Sequence, residues 1–121
     1  MNMVEVKTAE LSGAALDWVV AKAVNQGVSM VGDWPHIVAF GGKLCGRYSP
    51  STDWSQGGPL IDEYAIAFEG FTDATIRAFT MIDSGVGFGA GHLVAACRAI
   101  VDARLGDVVR VPAELVQEAR T

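Results

Sequence analysis

The chain has 121 residues, of which 50% are hydrophobic and 19% are charged, and its formal net charge is −5 at pH 7. This length fits one domain spanning residues 1–121, and the composition argues against a largely disordered chain. The negative charge argues against a nucleic-acid-binding protein, because such proteins need a basic face to displace counterions.

The cysteines and the hydropathy pattern together indicate the compartment. Cys45 and Cys97 favour free thiols in a reducing environment over a zinc site, because no CxxC pair is present and only two histidines accompany them. No stretch approaches the ~20 apolar residues of a membrane-spanning helix, and residues 1–7 lack the apolar core of a signal peptide. We therefore expect a cytoplasmic protein that contacts no membrane and carries no metal or cofactor.

The first half of the chain predicts three strands and one helix. Residues 4–7 alternate apolar and polar side chains, as a strand with one buried face does. An apolar stripe then predicts a helix of about three turns, with Ser12 as its N-cap and Gly27 in the left-handed position beyond its end. Strands follow at 28–31 and 37–40, with a turn at 32–35 between them. Residues 41–59 are the longest irregular part of the chain, and such a loop is usually functional or flexible.

The second half predicts a short helix, a hairpin and a second main helix. Pro59 suits the start of a helix that runs to about Tyr64, and strands at 65–68 and 75–81 form the hairpin. A glycine-rich loop at residues 83–91 leads into a helix from Leu93 to Leu105, which Gly106 ends. A strand at 108–111 and a short helix from Pro112 complete the chain. Because strands and helices do not alternate regularly, we predict an α+β fold: a small, mostly antiparallel sheet with two main helices packed on one face.

Three segments carry a family resemblance. Their sequences are YSPSTDWSQGGPLI at 48–61, LSGAALDW at 11–18, and a C-terminal block with ACRAIV at 96–101, LGD at 105–107 and VPAEL at 111–115. Taken in chain order, they resemble the NinX-like proteins, which are small proteins of unknown function encoded by temperate phages and prophages. Residues 33–46 and the glycine-rich loop depart from that pattern. The resemblance implies a phage or prophage origin and supplies no reaction.

The segment 48–59 is the first candidate site, because it gathers polar groups and an indole beside two glycines. Its candidate ligand-binding residues are Tyr48, Ser49, Ser51, Thr52, Asp53, Trp54, Gln56, Gly57 and Gly58. Convergent polar groups around a flat ring often hold small polar ligands, and glycines let a ligand approach the backbone. The alternative is a self-organised loop, in which Ser51 and Asp53 bond their own backbone and Trp54 packs on the core.

The glycine-rich loop is the second candidate. Gly85, Gly87 and Ala90 fit a relaxed G-x-G-x-x-A spacing ahead of a helix, where backbone amides can bind a phosphate. Arg77 or Arg47 would assist such an anion site. A dinucleotide site is not favoured, because no parallel strand ending in an acid follows ~20 residues on, and no P-loop lysine is present. We favour a flexible connection over an anion site.

Catalytic sets are weakly represented. Ser51, His92 and Asp53 supply the residue types of a triad, but no nucleophile-elbow motif is present, and His92 at a helix start suits a capping or surface role. Asp62 and Glu63 at the start of a helix more often complement its dipole than act as an acid–base pair.

Two further polar residues have local interpretations. His36 is expected to pack at the surface and not to bind a metal. Arg98 interrupts an apolar run and is expected to pair with Asp102 one turn on, the alternative being a reach across to Asp53.

The function that these observations favour is non-enzymatic binding, with the segment 48–59 holding a small ligand or, given the implied phage origin, a host protein. A second hypothesis is a small enzyme acting on a nucleotide-like substrate, with phosphate on the glycine-rich loop and Asp53 or His92 as base. A third is a structural or interaction protein that contacts another phage protein or forms a homodimer.

Overall fold

The computed structural model describes residues 2–72 and 74–120, with side chains at all of these except 71 and 117–120. The strands are β1 (Met3–Lys7), β2 (Val28–Val31), β3 (Trp34–Val38), β4 (Leu44–Arg47), β5 (Ile66–Thr72), β6 (Thr75–Thr80), β7 (Val86–Gly89) and β8 (Val108–Pro112). The helices are α1 (Gly13–Ala23), α2 (Trp54–Glu63), α3 (His92–Leu105) and α4 (Ala113–Arg120), and a 3₁₀ turn covers Thr8–Glu10. None of the described helices is both long and apolar enough to cross a bilayer.

The strands form three small antiparallel sheets. Two are local meanders, ordered β2-β3-β4 and β5-β6-β7, and the third pairs β1 with β8. In that third sheet the register runs from Met3 opposite Pro112 to Lys7 opposite Val108, so it joins the two ends of the chain. The α+β class and the antiparallel pairing are confirmed, and the strands divide among three sheets where the sequence predicted one.

The core lies where the two main helices pack against each other. Leu16 and Val20 of α1 and Ile100 of α3 are fully buried, and each such side chain contributes roughly 1.5–3 kcal/mol of hydrophobic stabilisation. Cys97 is buried in the same core as a free thiol, and burial raises its pKa. Cys45 is also free but exposed, so no described cysteine is in a disulfide.

The two main helices end by different devices. Gly106 closes α3 as predicted, with φ of 97° and its amide donating to the Val101 and Asp102 carbonyls. For α1 the prediction that Gly27 takes the left-handed position is wrong. Asn25 has φ of 61°, and the following amide, of Gln26, donates to the Ala21 carbonyl at 2.8 Å. Asparagine tolerates this conformation, so the left-handed residue lies two positions before Gly27 and α1 ends at Ala23.

The middle of the chain is more regular than predicted. The turn after β2 occupies only Gly32 and Asp33, with φ of 62° at Gly32, so β3 starts at Trp34. The segment predicted to be irregular contains β4 and the beginning of α2. Helix α2 begins at Trp54, five residues before Pro59, because Asp53 supplies its N-cap.

Candidate functional site

The segment 48–59 links β4 to the first turns of α2, and its first residues are held against the core. The Tyr48 side chain is buried, and its amide donates to the Pro35 carbonyl at 2.8 Å. Ser51 is also buried, at 3% exposure. Tyr48 and Ser51 therefore anchor the segment and do not face solvent.

A buried carboxylate from α1 fastens this segment. Asp17 is 1% exposed, and its Oδ1 accepts a hydrogen bond from the Ser51 amide at 2.9 Å. Burial raises the pKa of Asp17, and the hydrogen bonding from Ser51 and the positive charge of Arg47 only partly oppose this. The Ser51 hydroxyl is buried without a hydrogen-bond partner among the described residues. We call the Asp17–Ser51 contact the latch.

The remaining polar side chains of the segment are used to shape its own backbone. Asp53 caps α2, since its Oδ1 accepts from the Ser55 amide at 2.9 Å and from the Ser55 hydroxyl at 2.7 Å. These bonds lower the pKa of Asp53. Gln56 accepts from the Ser49 amide and donates to the Arg47 carbonyl. Asp53 thus bonds its neighbouring backbone, as the alternative hypothesis proposed, and the Gln56 side chain also bonds within the segment and its flank.

The first of the two glycines serves internal packing. A Cβ atom on Gly57 would lie 2.3 Å from the Pro50 carbonyl oxygen and 2.7 Å from Cδ2 of Leu93. Helix α2 therefore approaches the preceding loop and α3 more closely than any side chain would permit. Gly58 is less constrained, because its nearest contact would be the Trp54 ring at 3.8 Å.

The indole of this segment points outward. Trp54 is 58% exposed, so the alternative in which it packs on the core is wrong. Its ring centroid lies 6.4 Å from that of His92, and the His92 ring meets Phe68 of β5 edge-on at 4.9 Å. Trp54, Phe68 and His92 form a surface cluster that we call the aromatic patch. Thr52, also exposed, precedes it in the chain.

A catalytic triad is not assembled among the described residues. The Ser51 hydroxyl has no hydrogen-bond partner within the described ranges, and the Asp53 carboxylate is engaged with Ser55. His92 is an exposed residue at the first position of α3, where its ring joins the aromatic patch. His36 is half-buried, and its Nδ1 lies 3.1 Å from the Trp34 carbonyl.

The glycine-rich loop is neither a flexible connection nor an open anion cradle. Its central residues form strand β7, and alternate glycines along it face α3 at backbone distance. A Cβ on Gly87 would lie 2.4 Å from the Ala95 carbonyl oxygen and 2.4 Å from the Ala99 amide nitrogen. We call this contact the glycine–alanine seam; it comprises Gly85, Gly87 and Gly89 against Ala95, Ala99 and Ala103. Because α3 covers this face, these glycines cannot cradle a phosphate there.

The arginines assigned to an anion site are engaged elsewhere. Arg77 forms a 2.7 Å ion pair with Glu69, its cross-strand partner on β5. Arg47 stacks over the Trp34 ring, 3.4 Å from its centroid. Neither contact directs a guanidinium to the start of α3.

Arg98 and Asp102 do not form the predicted pair. The Arg98 guanidinium donates to the Phe88 carbonyl at 2.6 Å and to the Leu11 carbonyl at 2.9 Å. The Asp102 carboxylate accepts from the Val86 amide at 3.0 Å. Strand β7 is at the edge of its sheet, so these side chains bond to backbone groups on its unpaired edge.

The comparison with known families follows the same segments. A family model described as "Bacteriophage P22, NinX" matches residues 7–104, which is most of the chain. The chain belongs to this phage NinX family. The resemblance seen in the sequence is thereby confirmed, and the protein is phage-derived. No curated protein matches the chain.

The NinX match includes the latch and the aromatic patch, whereas β8 and α4 lie beyond it. Asp17 and Phe68 were not named as candidates from the sequence, and His92 was named only in a catalytic set. Asp17 had a usable signal, because it is the only carboxylate in the almost wholly apolar helix α1 and must find a partner when buried. Phe68 had none, because nothing in a strand of the hairpin indicates that its ring meets a residue of α3.

Proposed function

We propose that this NinX family member is a non-enzymatic protein-binding module, and that the aromatic patch is its contact surface. The observation that carries the proposal is a tryptophan that is held in place yet left in water. The latch, the Asp53 cap and the Gln56 bridge order the backbone on both sides of Trp54, whose side chain is still 58% exposed.

An exposed tryptophan on a well-ordered backbone suits a protein partner. Tryptophan is among the residues that most often dominate binding energy at protein interfaces, and an ordered backbone loses little entropy on binding. A half-buried Phe68 and the imidazole of His92 widen the apolar contact around it. Since the protein is phage-derived, a protein of the bacterial host is the partner that we propose.

A small polar ligand is less well supported at this surface. Such a ligand needs several free hydrogen-bonding groups that converge on it. Asp53 and the Gln56 side chain make internal hydrogen bonds, and Ser51 is buried. Thr52, Ser55 and His92 are exposed, but the Ser55 hydroxyl already donates a hydrogen bond to Asp53.

The proposal is tested by affinity capture from a lysate of the bacterial host. The wild type is compared with Trp54→Ala and with Phe40→Ala, which removes a fully exposed aromatic ring in the β3–β4 connection. We expect the partner to be recovered by the wild type and by Phe40→Ala. For Trp54→Ala we expect affinity to fall by about 30-fold or more, the loss typical of an interface hot spot.

Two outcomes would contradict the proposal. If a well-folded Trp54→Ala variant retains every partner at wild-type affinity, the patch is not the contact surface. If the captured protein is a second copy of this chain, the patch is a homodimer surface and the host-protein assignment is wrong.

A further inference from the structure

A concave surface lies between α1 and β8, and no residue of the segment 48–59 lines it. It is a cleft of about 300 Å³. Its walls are Trp18, Val19 and Lys22 from α1, Leu105 from the end of α3, and residues 108–110 of β8. We call it the α1–β8 cleft. Its volume is at the lower end of the range for small-molecule sites, which starts at roughly 300 Å³.

The walls of the α1–β8 cleft leave large apolar side chains in contact with water. Leu105 is 44% exposed and Val108 is 47% exposed, although a polar side chain is better solvated at a surface position. Trp18 is half-buried beside them. Apolar surface gathered in a concavity, unlike a single exposed leucine, is typical of a ligand site.

The charges at the α1–β8 cleft are of one sign. Lys22 and Arg110 line it, and no described carboxylate does, although the whole chain carries a net charge of −5. Among the described residues, Arg77 and Glu69 form an ion pair with nitrogen and oxygen within 4 Å. Neither Lys22 nor Arg110 has a described carboxylate at that distance. Glu5 is opposite Arg110 in the β1–β8 register but does not reach ion-pair distance.

The position of Lys22 is defined. Its ammonium lies 4.9 Å from the centroid of the Trp18 ring, one helical turn earlier. Lysine in the last turn of a helix also complements the helix dipole. That local role, however, requires neither the apolar walls nor Arg110 on a different element.

We infer that the α1–β8 cleft binds a small monocarboxylate with an apolar body. The apolar part would contact Trp18, Leu105 and Val108, and the carboxylate would lie between the ammonium of Lys22 and the guanidinium of Arg110. A volume of about 300 Å³ equals roughly ten water molecules in the liquid, which sets the ligand at about ten non-hydrogen atoms. For a ligand of that size, a dissociation constant on the order of 1 mM to 10 mM is expected.

The inference is tested with octanoate, a carboxylate with an eight-carbon chain, added to the full ¹⁵N-labelled chain. Octan-1-ol is the neutral control with the same chain length. We expect octanoate to shift the amide signals of the cleft walls and the indole signal of Trp18. We expect octan-1-ol to bind the same residues at least about fivefold more weakly, because it lacks the charge.

Charge variants complete the experiment. Lys22→Gln combined with Arg110→Gln should weaken octanoate binding about fivefold or more and leave octan-1-ol binding unchanged. Lys43→Gln, which removes an exposed lysine outside the cleft, should leave both unchanged, and Trp54→Ala should also retain octanoate binding. Equal affinity for octanoate and octan-1-ol, shifts that fall outside the cleft, or no effect of the double variant would each overturn the inference.

Discussion

The glycine–alanine seam makes a sharp prediction, because at its centre two backbones touch. Gly87→Ala adds one methyl group to the side of β7 that faces α3. That carbon would meet the Ala95 carbonyl oxygen and the Ala99 amide nitrogen, each at 2.4 Å. Both atoms belong to the helix backbone, so no change of rotamer can relieve the overlap. Either α3 or β7 must move as a whole.

The size of the movement sets the size of the effect. The contact has to lengthen from 2.4 Å to at least 3.0 Å, the shortest distance that real Cβ atoms adopt. A gap of roughly 0.5–1 Å already forfeits about a quarter to a half of the dispersion energy between the separated atoms. Overpacking of a core costs about 1–3 kcal/mol, and we expect at least ~3 kcal/mol for Gly87→Ala, because rigid backbone is on both sides. That loss is large beside a typical unfolding free energy of ~5–15 kcal/mol.

The measurement is urea denaturation of the wild type and two alanine variants. Gly70→Ala is the matched control, since Gly70 also lies in a strand of the same sheet and has no described neighbour within 4 Å of an added Cβ. We expect that control to stay within about 0.5 kcal/mol of the wild type. If Gly87→Ala unfolds at the same urea concentration as Gly70→Ala, β7 and α3 can separate without loss of stability. That result would refute a rigid backbone contact between them.

Three further predictions concern the latch, the edge of β7 and the segment 48–59. Asp17→Asn should unfold at a higher urea concentration than the wild type near neutral pH, because burial raises the pKa of Asp17 and disfavours its charged form. As the pH falls through that raised pKa toward the ordinary value of 3.8, the wild-type carboxyl becomes protonated and the wild type becomes more stable. The difference between the two proteins should therefore shrink on acidification. A difference that grows on acidification would contradict the assignment. The double variant Arg98→Ala/Asp102→Ala removes the side chains that bond to the edge of β7. In sedimentation velocity we expect this variant to self-associate at a lower protein concentration than the wild type. Identical profiles would argue against protection of the edge by these side chains. Tyr48→Ala should lower the free energy of unfolding in urea by about 3–5 kcal/mol, whereas Trp54→Ala should change it by no more than about 1 kcal/mol. Equal losses would mean that the indole packs like a core residue.

Local patterns predicted most of the elements. The apolar stripes of α1 and α3 appear at the right places, since helical periodicity is a property of neighbouring residues. Gly106 ends α3 as predicted because a left-handed residue is needed there whatever packs around it. The predicted start of α2 was wrong, because two residues in the segment could each begin a helix. Asp53 caps α2 in the structure, whereas the prediction used Pro59.

The glycines show why the candidate sites were harder to predict than the elements. A glycine permits flexibility, a tight turn or a close backbone approach, and its neighbours in sequence do not say which. Gly87 lacks a side chain because α3 lies against it, and Gly57 because the Pro50 carbonyl does. The spacing of the glycine-rich loop therefore suggested a phosphate site that the packing of α3 excludes.

The α+β class, the two main helices and the place among the NinX proteins could all be predicted from the sequence, since they depend on short-range periodicity and on signature segments. Which polar groups make internal hydrogen bonds and which face water depends on the tertiary structure. Ser51 is fastened by a carboxylate 34 residues away, and Arg98 bonds to the Leu11 carbonyl 87 residues away. Such partners are set by how the helices pack, and it is that packing that buries Ser51 and leaves Trp54 on the surface.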